Sequence, residues 1–185
     1  MTATGPFSKL KAFWGDTKLI NIVIETPTAS PFKVKFDDQS EVSRVHKAMP
    51  LGTVFPFNFG FVPGTKGADG DPVDVLLLSD FALPVGAVVI GELIAVLEGE
   101  QQDRNEKQRN DRLIAIPIQL SSSEPMLPMI EFGPATKEAI QQFFVKYNEL
   151  QGRIFTPIRY ADADQAIRLV QKTQSDASEF NSFGL

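Results

Sequence analysis

The chain contains no cysteine, which excludes a disulfide framework, and its one histidine, His46, leaves too little soft-ligand material for a zinc or iron site. Basic charge is also scarce. Eighteen Lys and Arg stand against 23 Asp and Glu, a net charge of -5, which argues against a general nucleic-acid surface while leaving room for a few lysines to bind a small phosphate in a cleft. Long apolar runs are missing as well. The longest region, Ala82 to Leu97, is broken by Pro84, Gly86, Gly91 and Glu92, and Met1 to Asp16 lacks the apolar core of a signal peptide, so a cytoplasmic protein without a membrane span is expected. No internal repeat is visible. The 185 residues, 43% hydrophobic and 22% charged, fit one domain, 1–185, with a sizeable core.

What is present is a concentration of carboxylates: Asp69, Asp71 and Asp74 fall within Ala68-Asp69-Gly70-Asp71-Pro72-Val73-Asp74, followed by Val75-Leu76-Leu77-Leu78. Three like charges this close repel one another unless cations neutralise them. Carboxylate oxygens are hard ligands suited to Mg²⁺, Mn²⁺ or Ca²⁺. A calcium-binding helix-loop-helix also begins Asp-x-Asp, and Asp80 would be its twelfth position. That reading fails because Val73 and Asp74 occupy the fifth and sixth positions, where a ligand and a turn-forming glycine are needed. The strand-forming residues that follow place the cluster on a loop entering a buried strand. A solvated acidic turn is the competing reading.

The first two thirds of the chain read as strands. Phe32 to Asp37 alternates, with Phe32, Val34 and Phe36 expected on the core face and Lys33, Lys35 and Asp37 on the other. Val88 to Leu97 and Leu113 to Leu120 flank Gln101 to Asp111, which has no apolar residue and reads as a long exposed loop. Ile140, Phe143, Phe144, Tyr147 and Leu150 then follow helical spacing up to Gly152, and a second helix starting at Asp162 or Asp164 turns Ala166, Ile167 and Val170 inward. Short strands followed by helices indicate an α+β domain on a closed sheet.

The Asp69 to Asp74 run resembles the signature of the soluble (family I) inorganic pyrophosphatases, which split pyrophosphate with Mg²⁺. The likeness continues through Ile22 to Pro27, Pro31 to Lys33, Phe55 to Val62, Arg112 to Pro117 and Phe143 to Tyr147, covering about residues 18 to 170. It implies a small closed five-stranded, OB-like β-barrel with flanking helices, pyrophosphate as substrate, Mg²⁺ or alternatively Mn²⁺ as cofactor, and a homo-oligomer. By the same resemblance Asp69, Asp71 and Asp74 hold metal, and Asp71 is the general base. Lys33, Lys47, Arg112 and Tyr147 bind phosphoryl oxygens, and Glu25 lies on the site rim. For Lys33 the competing reading is a solvated strand lysine, and for Tyr147 simple packing on a helix stripe. His46 matches no catalytic position and reads as a surface or capping residue.

The chain departs from the family pattern at several of these positions. Lys35 stands where the family has glutamate, Lys47 where it has arginine, Phe55 and Phe59 where it has tyrosines, and Asn148 where it has lysine. The family Asp-x-Lys corresponds to Asn110-Asp111-Arg112, turning a ligand carboxylate into an amide, and Glu100, Asp103 and Glu106 are candidates for a further loop acid. The glutamate-to-lysine and aspartate-to-asparagine changes, less the lost lysine, make the site about two charge units more positive and its metals fewer or weaker. Lys35, on the same strand face as Lys33, is expected to take over part of the phosphate binding lost at Asn148, with a solvated strand lysine as the competing reading. Two readings result: a divergent pyrophosphatase, or a non-catalytic phosphate- or pyrophosphate-binding sensor or scaffold.

Overall fold

The computed structural model describes residues 7, 9–37, 40–104, 106–119 and 129–182, with side chains as far as 174. Apolar β-branched and leucine-rich segments form the central strands: β1 (Ile20–Thr26), β4 (Asn58–Phe61), β5 (Asp74–Leu77), β6 (Val88–Asp103) and β8 (Arg112–Pro117). They pair in the order β1-β4-β5-β8-β6, and β6 pairs back to β1, so the sheet closes into a ring of five strands. All these pairings are antiparallel except β5 with β8. The closed barrel with its two helices, α1 (Pro134–Glu149) and α2 (Ala163–Ser182), is the OB-like α+β architecture that the resemblance implies.

Both faces of the ring are covered, which is why its strands read as nearly continuous apolar runs. On β5, Val75 and Leu77 join a core with Ile20, Ile22, Leu113 and the α2 residues Ala166 and Val170. The alternate residues Leu76 and Leu78 join a second core with Phe55, Phe59, Ile114 and the α1 residues Ile140 and Phe144. At Gly60 a Cβ would come 2.0 Å from the Val23 carbonyl oxygen, so the close approach of β4 to β1 requires glycine. Asp162 caps α2 by accepting the Gln165 N–H at 2.9 Å, and Gly152, at φ +71°, turns the chain after α1.

Two expectations are corrected. Gln101 to Asp111 is a β-hairpin: β6 runs on to Asp103 and pairs with β7 (Glu106–Arg109), while β9 (Ile154–Asp162) pairs along the other edge of β6. A polar stretch satisfies its backbone by this edge pairing just as an apolar one does, and Arg104, at φ +53°, makes the turn. The second correction concerns β2 (Phe32–Asp37), which among the described residues pairs with β3 (Val42–Ala48) alone. Lys33 is the buried residue, at 5% exposure, and Phe32 is 46% exposed. The hairpin turns Lys33 inward to the wall beside Phe55 and Phe59, whereas Phe36 packs edge-on against Phe7 at 4.8 Å. Leu120, the expected end of β8, lies outside the described residues.

Candidate active site

One end of the ring gathers the charges. Parallel pairing of Val75 with Leu113 sets Asp74, the first residue of β5, beside Arg112, the first of β8, and the Arg112 Nη1 reaches Asp74 Oδ2 at 3.0 Å. Arg112 is buried. It also donates to the Asn110 side-chain oxygen and to the Asp111 carbonyl at 3.1 Å, and its guanidinium carbon lies 5.2 Å from the centre of the Phe144 ring. Asn110 in turn donates to Gln101 Oε1 at 2.8 Å, so the amide links the β6–β7 hairpin to the site arginine.

The acidic turn is shaped by Gly70, at φ +87°, and by Asp69, which accepts the Asp71 N–H at 3.2 Å. Burial first, then the nearby charges of Asp74 and Asp71, raise the Asp69 pKa, with its hydrogen bond opposing them. Asp71 accepts from Lys35 Nζ at 2.6 Å, a pair whose side chains are half exposed. Burial alone would depress Lys35, but its hydrogen bond with Asp71 and the surrounding carboxylates outweigh that and raise its pKa.

Lys33 lies deeper, with Nζ 3.4 Å from the centre of the Phe59 ring and 5.7 Å from that of Phe55. Glu25, at the end of β1, lies 3.9 Å away and accepts the Phe36 N–H at 2.7 Å. Burial pushes Lys33 down to about 8 and Glu25 up. Both shifts favour the neutral forms, so this is a long contact in an apolar setting and not a strong ion pair. Lys47 faces Lys33 across the β2–β3 ladder and shares a small cavity of about 170 Å³ with Tyr147. Tyr147 stacks on Phe143 and meets Phe55 edge-on at 5.7 Å, and burial raises its pKa. Asn148 is buried in the helix, donating to the Phe144 carbonyl, and so does not face the cleft.

A larger cavity of about 760 Å³ brings Asp69, Asp71 and Lys35 together with the β6–β7 hairpin. Asp103 and Glu106 both line it, but Asp103 is engaged by Arg153 at 2.9 Å, and Glu100 pairs with Lys107. Motif reading missed Arg104 and Arg153, two cations on this wall; one sits at a hairpin turn and the other just after Gly152, positions that carry no chemical signature. His46 also borders the cavity. It is the extra residue where the β2–β3 register shifts, and burial followed by Lys35, Lys47, Lys33 and Arg153 lowers its pKa.

The clustered carboxylates Asp69, Asp71 and Asp74 offer oxygen donors, a chemistry that fits a hard divalent cation and no soft one. Among the described residues no three acids or imidazoles are gathered into a metal-holding group. Two of the three clustered aspartates are instead drawn to Lys35 and Arg112.

A model of the inorganic pyrophosphatase family matches residues 22–178. The chain belongs to that family. It is 32% identical over 160 residues to the inorganic pyrophosphatase of Helicobacter pylori, covering 85% of this chain and 90% of that one, and 33% identical over 137 residues to that of Aeropyrum pernix, covering 72% and 74%. The Helicobacter pylori structure superposes with a TM-score of 0.77 at 30% identity, over 92% of this chain and 99% of that one. The Thermus thermophilus inorganic pyrophosphatase, at 23% identity, shares the fold with a TM-score of 0.80 over 93% and 98%. No helix among the described residues is long and apolar enough to cross a membrane.

Proposed function

We propose that the protein hydrolyses inorganic pyrophosphate to two phosphates in a reaction that needs a divalent cation, Mg²⁺ or alternatively Mn²⁺. The observation that carries this reading is the convergence, at one end of the barrel, of Asp69, Asp71 and Asp74 with Lys33, Lys35 and Arg112. A dense anion needs such cations to enter, and a nucleophilic water needs such carboxylates to be oriented and deprotonated. Lys33, Lys47 and Arg112 bind phosphoryl oxygens, with Lys35 and the Tyr147 hydroxyl at the margins. Asp71 accepts the proton of the attacking water. A cation held by Asp69, Asp71 and Asp74 would supply charge neutralisation and a water of lowered pKa.

Several features beside the aspartates tune this site. Glu25 holds the Lys33 pocket in place through its bond to β2. The Phe55 and Phe59 rings exclude water around Lys33, which strengthens its attraction for a phosphoryl oxygen that displaces Glu25. Glu106 is the hairpin acid lining the cavity whose carboxylate has no partner among the described residues, and it is our choice for the further loop ligand. Exposed Phe32, Val45, Leu51 and Val54 support assembly into a homo-oligomer, which sedimentation would read.

Asp71→Asn tests the assignment. It keeps volume and removes the base, and phosphate release should fall roughly 10²- to 10⁴-fold. A variant as fast as the parent would remove Asp71 from that role.

A further inference from the structure

The geometry points to Lys35 as a tethered counter-cation that keeps a divalent ion off Asp71 in the substrate-free protein. This rests on the reading of the clustered aspartates as metal-facing groups. Two acids at this end of the barrel are each held by one cation, Asp71 by Lys35 at 2.6 Å and Asp74 by Arg112 at 3.0 Å, while Glu25 makes only a long 3.9 Å contact with Lys33. Among the described residues the Asp69 carboxylate accepts only a backbone N–H, that of Asp71. An ammonium at hydrogen-bond distance stands where a cation would approach Asp71 Oδ2. A divalent ion on that oxygen would meet the like charge of the ammonium at close range, a repulsion that water weakens but does not remove.

The arrangement is held by the fold and yet can open. Lys35 is fixed in register opposite Arg44 on β3, so its stem leaves the strand towards the acidic turn. Its side chain is 42% exposed and that of Asp71 58%, so water can replace the contact. Both line the same cavity, where an entering pyrophosphate offers the ammonium a second partner. Lys35 thus makes metal at Asp71 conditional on substrate: the carboxylate is neutralised while the site is empty of anion and released when the anion draws the lysine away. By linkage, metal at Asp71 then favours pyrophosphate to the same degree.

Mn²⁺ binding measured by electron paramagnetic resonance, without pyrophosphate, tests this on the parent protein and on Lys35→Met and Lys35→Arg. Lys35→Met should tighten the weakest Mn²⁺ site roughly 10- to 100-fold. Lys35→Arg keeps the charge and should bind as the parent does. Unchanged or weaker binding in Lys35→Met would overturn the proposal, and so would equal tightening in Lys35→Arg, which would show that charge is not the cause. If near-ultraviolet circular dichroism shows Lys35→Met unfolded, Lys35→Gln takes its place with the same expectation. Because pyrophosphate is absent, the result is independent of hydrolysis: a protein with no turnover could still show the gain, and an active one could lack it.

Discussion

The ring of β1, β4, β5, β8 and β6 and the charged rim at its end are built from the same strands on opposite principles. In the ring, Val75, Leu76, Leu77 and Leu78 are each 1% exposed or less and pack alternately into two cores. One residue before them, Asp74 faces Arg112. Stability in the ring comes from area removed from water, which is insensitive to small charges nearby. The rim gains little from its half-exposed ion pairs, and it keeps Lys33 and Glu25 at a cost in desolvation. On the proposed function, the rim's composition follows from what it would bind and not from what it holds together.

The largest expected effect sharpens that contrast. Leu77→Ala, at a fully buried position, should cost about 2–5 kcal/mol in denaturant unfolding. Pyrophosphate affinity of the folded fraction should stay as it was. If affinity fell with stability, ring and rim would be one cooperative unit.

Arg112→Gln is the substitution most able to break the contrast, because this side chain is buried in the ring and works in the rim. It leaves Asp74 without its ion pair. The cost should be about 1–3 kcal/mol, below that of a fully buried pair because Asp74 keeps 22% of its side-chain exposure. Phosphate binding should weaken as well, and loss of one without the other would assign Arg112 to a single region.

How far the sequence reveals each region follows the same division. The closed sheet was legible because burial on both faces writes itself into Val75 to Leu78 as a continuous apolar run. The acidic turn was legible as three aspartates in six residues. The β6–β7 hairpin was not, because Glu106 to Arg109 pairs through its backbone and has no apolar face to announce a strand. The inward face of β2 was misread because alternation fixes which residues share a face and leaves open which face is covered; Phe55 and Phe59, which cover Lys33, come more than 20 residues later. The contact of Lys35 with Asp71 spans 36 positions and depends on how the β2–β3 hairpin docks. No local pattern encodes it.

A further effect is a dependence on pH. Lys33 has a folded-state pKa lowered to about 8 from its usual 10.5, so between these values the unfolded chain binds more protons than the native one. Stability without ligand should therefore rise with pH across this window, opposite to the loss that a stabilised lysine cation would give. Lys33→Met should flatten the rise. A fall in stability over the same range would mean that Lys33 is stabilised as a cation.

The central claim is tested most directly by phosphate release from pyrophosphate, measured with Mg²⁺ and again with a chelator in excess. Release with Mg²⁺ that stops on chelation is the predicted result. Release that continues at the same rate under chelation, or none in either condition from folded protein, would contradict the account.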